Sequence, residues 1–312
     1  MSVMFSVNYF IFSIFFLLFG LEAGIAITLL LEYEKYKERL KRFIMPLWEI
    51  TGTFAVFYIV NFEATFPKLL LLVGSIFIAP VLVAAIFFIL RNAFLSYSEY
   101  MGESRLEHLF LRIYSVSTII VAFLVISVLD SGISGIGISM ATYSLSMLHV
   151  LFNSFNILMF VGIALIAIFI AAVFFEIMEY KWLSFLAPIF GIIAIFIAVY
   201  SKLHFVYSNA VGFGLPYLVA LIVLLAAVLV CYWKHIAMAK YAAIAWFLLA
   251  VNFFGFMQQP YLFGGAISTS EYLAAGPVAF YVNMVTAIGG ALLVASLGYF
   301  IYISYIKKSQ TP

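Results

Sequence analysis

Two glutamates, Glu22 and Glu49, fall inside apolar runs of a chain that is 67% hydrophobic and only 9% charged. An ionised carboxylate in hydrocarbon costs at least about 2.5–3.5 kcal/mol. Acids at such positions call for a proton path, an ion site or a buried pair. Glu22 lies in the later half of the first apolar run, and Glu49 enters the second about two turns from its start. If the two runs form neighbouring antiparallel helices, the carboxyls reach similar depth. Two acids at one depth in a dry setting favour a shared proton, which is the condition a proton relay needs. The plainer reading is that each acid is neutral, or bonded to a Ser, Thr or Tyr, and only helps helices pack.

The remaining candidates are weaker. Glu63 and Asp130 fall near the ends of apolar runs and can reach the interface by snorkelling. Glu176 sits near another boundary and reads the same way. The four histidines, His108, His149, His204 and His235, lie at or near run ends, and no His-x-x-x-His or Glu-x-x-His pair occurs. A haem or metal site inside a bundle needs ligands that project into its core, so none is expected on this chain. Met147 near His149 reads as packing. Cys231 is the single cysteine, which excludes an internal disulfide or a thiolate cluster. There is no Gly-x-x-x-x-Gly-Lys-[Ser/Thr] loop of a nucleotide-driven pump.

The elements that carry these residues are long apolar helices. A soluble domain is about 25% charged, and a membrane β-barrel shows ~10-residue alternating segments. Neither describes this chain. The apolar runs predict nine membrane spans, at residues 4–31, 43–66, 68–97, 109–130, 151–178, 181–201, 213–235, 237–257 and 277–306. The first has no basic residue before it and no small-residue cleavage site after it, so it reads as a retained span. Pro80 is expected to kink the third. The Gly/Ser-rich connection at 131–149 and the Pro260/Gly264–Gly265 connection at 258–276 read as surface loops. With the N-terminus outside, 13 of the 15 Lys and Arg fall in inside connections and only Lys68 and Lys202 outside. That bias predicts an N-out, C-in topology. A faint echo, Gly24-Ile-Ala-Ile against Gly162-Ile-Ala-Leu, suggests one transmembrane domain, residues 1–312, with two similar halves at 1–130 and 151–257 and a last helix at 277–306.

Four short motifs then resemble subunit II of cytochrome bd-type quinol oxidases. Gly20-Leu-Glu22-Ala-Gly24-Ile-Ala26 is similar to the acid-centred Gly-x-Gly motif closing that family's first helix. Pro46-Leu-Trp48-Glu49 resembles its Pro-x-Trp-Asp, Ala64-Thr-Phe66-Pro67 its Ala-x-Phe-Pro, and Leu90-Arg91-Asn-Ala-Phe94 its Leu-Arg-Gly-x-x-Phe. Order and spacing agree over residues 18–98, and Phe254-Gly-Phe-Met-Gln-Gln-Pro260 is a looser match. Both family aspartates are glutamates here, Ile50-Thr-Gly-Thr-Phe54 departs from the family's Gly-Asn-x-x-Trp, and a second arginine is replaced by Ser98. The resemblance implies a divergent, all-α, nine-helix subunit in a prokaryotic cell membrane, paired with a haem-bearing subunit I that oxidises quinol and reduces O2. It implies haems in the partner and none on this chain. Glu22 and Glu49 would pass protons. Trp48 would shape the helix-one/helix-two contact and a quinone or lipid pocket, and Arg91 would anchor the third helix at the cytoplasmic face.

Two other readings stand beside it. A proton-coupled secondary transporter using the same glutamates predicts helices broken near mid-membrane and a clear inverted repeat. A structural or assembly protein predicts no chemistry at either glutamate. Nothing in the composition suggests a nucleic-acid partner.

Overall fold

The computed structural model describes residues 3–100, 105–177, 181–274 and 276–301. Among them nine helices are long and apolar enough to cross a bilayer. In chain order the helices are α1 (Val3–Leu31), α2 (Tyr33–Thr65), α3 (Pro67–Tyr100), α4 (Arg105–Ser134), a short α5 (Met147–Leu151), α6 (Ser154–Phe174), α7 (Lys181–Lys202), a short α8 (His204–Val211), α9 (Leu215–Trp233), α10 (Ala239–Gln258) and α11 (Pro277–Ile301). The alternation of spans gives the bundle two ends. One carries the lysine-rich connections. The other carries α5, α8 and two small hairpins.

The second helix is longer than its apolar run. Residues 33–42, expected as a charged loop, form a helical stem, and only Glu32 separates α1 from α2. The stem holds no Gly or Pro and is rich in Lys, Glu and Arg, which favour helix. Tyr33, Tyr36, Leu40, Ile44 and Leu47 are buried along it, at the spacing of one helical face. Pro46 and Pro80 lie inside α2 and α3, and each helix continues past its proline.

The centre of the bundle is the contact between α1 and α6, and each also packs on α4 and α10. Small residues make this contact close. A Cβ on Gly24 would lie 2.3 Å from the Cβ of Ala171, and one on Gly20 would lie 3.9 Å from Ala167. The two echoed glycines meet different neighbours, since a Cβ on Gly162 would lie 2.8 Å from the Gly191 carbonyl of α7. In a bilayer such small-residue seams replace the hydrophobic effect with close packing of backbones. Glu22 lies two positions from both Gly20 and Gly24. At 100° per residue it therefore points about 200° away from the seam, toward α3 and α4.

At the hairpin end, Ile138 pairs with Leu145 and Ser139 with Ser144, while Tyr261 pairs with Ser268 and Leu262 with Ile267. These hairpins interlock. Gly135 (φ 75) lies against the Phe263 carbonyl, and Gly264 (φ 67) against the Ser134 carbonyl. Both need a left-handed backbone with no side chain. α11 packs mainly on α2. Asn8 Nδ2 donates to Asn61 Oδ1 at 2.8 Å, and Asn61 Nδ2 donates in turn to Thr286 Oγ1, joining α1, α2 and α11.

Gly24→Leu is expected to force α1 and α6 apart at a cost of about 1–3 kcal/mol or more. Gly74, which has nothing within 4 Å of its notional Cβ, serves as control. Thermal unfolding of the purified protein checks this: Gly24→Leu lowers Tm and Gly74→Ala leaves it level or slightly raised.

Candidate functional site

Glu22 is fully buried, and three other helices reach it. Arg91 on α3, also fully buried, places Nη2 2.8 Å from Glu22 Oε1. Tyr114 on α4 donates its hydroxyl to the same oxygen at 2.9 Å. The Thr51 side chain on α2 lies beside the carboxylate, and its hydroxyl donates to the Leu47 carbonyl at 2.7 Å. The Arg91 guanidinium lies over the Phe88 ring, 4.7 Å from its centroid, which adds a cation–π contact. Arg91 was expected to anchor α3 at the cytoplasmic face. It does not reach a face, because its countercharge lies inside. Its Nε and Nη1, and Glu22 Oε2, have no hydrogen-bond partner. The residues are 0% exposed, so no water-sized space adjoins them. This is a dry ion pair, tightly enclosed and incompletely bonded.

Glu49 does not share this interior. It is exposed on α2. Thr51 is buried and faces Glu22. Two positions of helix separate Thr51 from Glu49, about 200° of rotation. Glu49 therefore lies on the opposite side of α2 and opens a stripe of exposed positions, Glu49, Thr53, Val56, Val60 and Glu63. The expected common surface for Glu22 and Glu49 is absent: rotation separates them.

Trp48 and Arg91, read as a candidate quinone or lipid contact or a helix contact, both make contacts between helices. Trp48 Nε1 donates to Asn92 Oδ1 at 2.8 Å, tying α2 to the residue that follows Arg91 on α3.

A second ionic cluster sits at the lysine-rich end. Glu107 on α4 is fully buried, with Lys41 Nζ at 2.7 Å and Lys37 Nζ at 3.0 Å. The ring of Tyr33 lies 4.1 Å from that of His108. Sequence reasoning missed this clamp. Its signal was the i, i+4 spacing of Lys37 and Lys41, legible only once residues 33–42 are seen as helix. Glu176 also bridges elements, with Arg39 at 3.4 Å and Lys240 at 3.7 Å.

Asp130 was expected to snorkel to the interface. It is buried, because α4 continues to Ser134 and leaves it about one turn inside the helix end. Its Oδ2 has no hydrogen-bond partner, and it lines a cavity of about 610 Å³ toward the hairpin end. Aromatic and aliphatic side chains from α1 to α4 and α6 to α10 form most of the wall, α10 contributing the most, with Asn8, Tyr9 and Gln258 adding polar groups. Glu63 remains exposed. His149 lies in α5, His204 opens α8, and His235 follows α9. Among the described residues no three His, Cys, Asp or Glu side chains converge as metal ligands. Cys231 is half-buried and free.

The geometry can be set beside known proteins. Among solved structures the fold resembles a chain of "The structure of bd oxidase from Geobacillus thermodenitrificans", with a TM-score of 0.78, 16% sequence identity, and coverage of 97% of this chain and 99% of that one. Comparison with curated protein sequences gives no match. That identity carries the fold alone, but the family model for cytochrome bd terminal oxidase subunit II matches residues 1–305. With nearly its whole length matched and its nine spans folded in that way, the chain belongs to the cytochrome bd terminal oxidase subunit II family.

Proposed function

We propose that this chain is the haem-free partner of a haem-bearing subunit I in a quinol:O2 oxidoreductase, and that Glu49 supplies protons across the face it shares with that subunit. Membership of the family makes it part of a bd-type oxidase complex. The observation that carries the finer reading is the exposure of Glu49. At 1.5 Å per residue it lies about 9 Å inside the apolar part of α2. Lipid is a poor neighbour there for a carboxyl group. A protein surface with hydrogen-bonding or cationic groups is a good one. The neighbouring α11 has only 6% of its span buried within the chain, so the α2–α11 side has apolar area to cover as well.

In this reading the N-terminus is outside, the lysine-rich end faces the cytoplasm, and protons consumed in O2 reduction enter from that end. The halves at 1–130 and 151–257 would flank the α1–α6 seam, with α11 added on the docking side. A transporter reading is less well supported, because the nine spanning helices run unbroken among the described residues. The quinone-or-lipid role moves from Trp48 and Arg91 to the 610 Å³ cavity, where Asp130 stands with Asn8, Tyr9 and Gln258 in a mostly apolar wall. Pockets of about 300–1,000 Å³ suit ligands with a long apolar body.

Two outcomes are expected. Glu49→Gln lowers quinol-dependent O2 consumption by the purified complex about 10²–10⁴-fold, the range for a lost proton donor, with haem content unchanged. Glu49→Asp retains most activity, and full activity in Glu49→Gln would sink the proton reading. Organic extraction of the complex is expected to release about one quinone or phospholipid for each cavity, and Asp130→Leu to reduce that yield.

A further inference from the structure

We infer that Glu22 and Arg91 are not stations on a proton path but a fixed, charge-neutral positioning device, which turns α2 so that Glu49 faces outward. The inference rests on Glu49 being the proton-carrying carboxylate proposed above.

Two observations set Glu22 apart from a carrier. Its Oε1 is already engaged by Arg91 at 2.8 Å and Tyr114 at 2.9 Å. Neither it nor Arg91 adjoins a space large enough for water, since both are 0% exposed even to internal probes of that size. A relay group must exchange its proton with a neighbour on each side. Glu22 has a guanidinium on one side, which holds its own protons throughout the working range, and a phenol on the other. A carboxylate locked against arginine in a dry site is a countercharge.

The positional consequence follows along the chain. Arg91 fixes α3, and the next residue, Asn92, accepts the hydrogen bond from Trp48 at 2.8 Å. Trp48 adjoins Glu49. This tether, one residue before Glu49, holds that turn of α2 against α3 with Thr51 buried and Glu49 outward. It ends on the immediate neighbour of Arg91. Pro46, two residues earlier in the helix, removes the backbone hydrogen bond to Arg42 and would otherwise leave this stretch freer to turn.

The test uses the purified two-subunit complex, read by haem content and by quinol oxidase turnover across a range of pH. Glu22→Gln strands a buried guanidinium and is expected to lower the yield of haem-bearing complex about tenfold or more. The double variant Glu22→Leu/Arg91→Leu leaves no stranded charge. It is expected to recover yield to within about threefold of the parent but, without the device, to lower turnover about threefold or more at alkaline pH and little at acid pH. Trp48→Phe keeps the ring and deletes the N–H. With haem content normal, it is expected to lower turnover about threefold or more at alkaline pH, where protons are scarce, and little at acid pH. The inference is overturned if the double variant fails to assemble, or if it assembles with full haem and either keeps the parent's turnover at alkaline pH or turns over as slowly as Glu49→Gln at every pH. It is overturned too by an unchanged pH profile in Trp48→Phe. Full activity in Glu49→Gln would instead defeat the proton role of Glu49, and recovery of yield by the double variant would still read out the ion pair.

Discussion

A charge at bilayer depth must be matched, neutralised or passed to another chain. The first two spans of this protein contain two different answers to that constraint. Glu22 is matched inside the bundle by Arg91, with Tyr114 completing one oxygen. Glu49 is turned out of the bundle and is exposed. The difference arises from a few residues of helix phase. Apolar replacement of a buried ion pair is often neutral or stabilising by about 1–4 kcal/mol, so the Glu22–Arg91 pair is a poor source of net stability. What a directional pair does supply is a unique rotational setting for the helices that carry it.

The setting works because α1 has two specialised sides. Gly20 and Gly24 bring one side against Ala167 and Ala171 of α6, close enough that a larger residue would not fit. Glu22, between the glycines in sequence, projects from the other side. The Gly-x-Glu-x-Gly run is therefore a packing element and an electrostatic element in five residues. Tight packing on one side fixes the depth of the carboxylate on the other. The clamp of Lys37 and Lys41 on Glu107 does the same work at the lysine-rich end, joining the stem of α2 to the start of α4.

Much of this was legible in the sequence. Nine spans followed from the lengths of apolar runs, and the four motifs pointed to the family. The errors have a common origin: hydropathy reports depth but not rotation. Glu22 and Glu49 were placed at similar depth, but nothing in a one-dimensional pattern said that Thr51, not Glu49, faces α1. Arg91 lay near a span end by the same measure and was sent to the surface, because its partner is far away in sequence. Asp130 was misplaced because α4 carries Ser131–Ser134 as a further polar turn that hydropathy reads as loop. The stem of α2 was read as loop for the converse reason: its charges hid a regular stripe of Tyr, Leu and Ile. The short helix α8 was too brief to register in a span-length search.

The single-residue link at Glu32 bears on biogenesis. With α2 helical from Tyr33, α1 and α2 form a hairpin that enters the membrane as one unit, carrying Glu22 with it. Arg91 lies near the end of the third span and is still unmade at that moment. At about 5–20 residues per second, several seconds separate the two halves of the ion pair. Over that interval Glu22 has only Thr51 of its own hairpin as a neighbour and Tyr114 is further still from synthesis. The nascent hairpin therefore carries its acid without a countercharge, and the arrival of α3 is the step that completes the pair. Order of insertion, and not only final geometry, is thereby written into the position of one arginine.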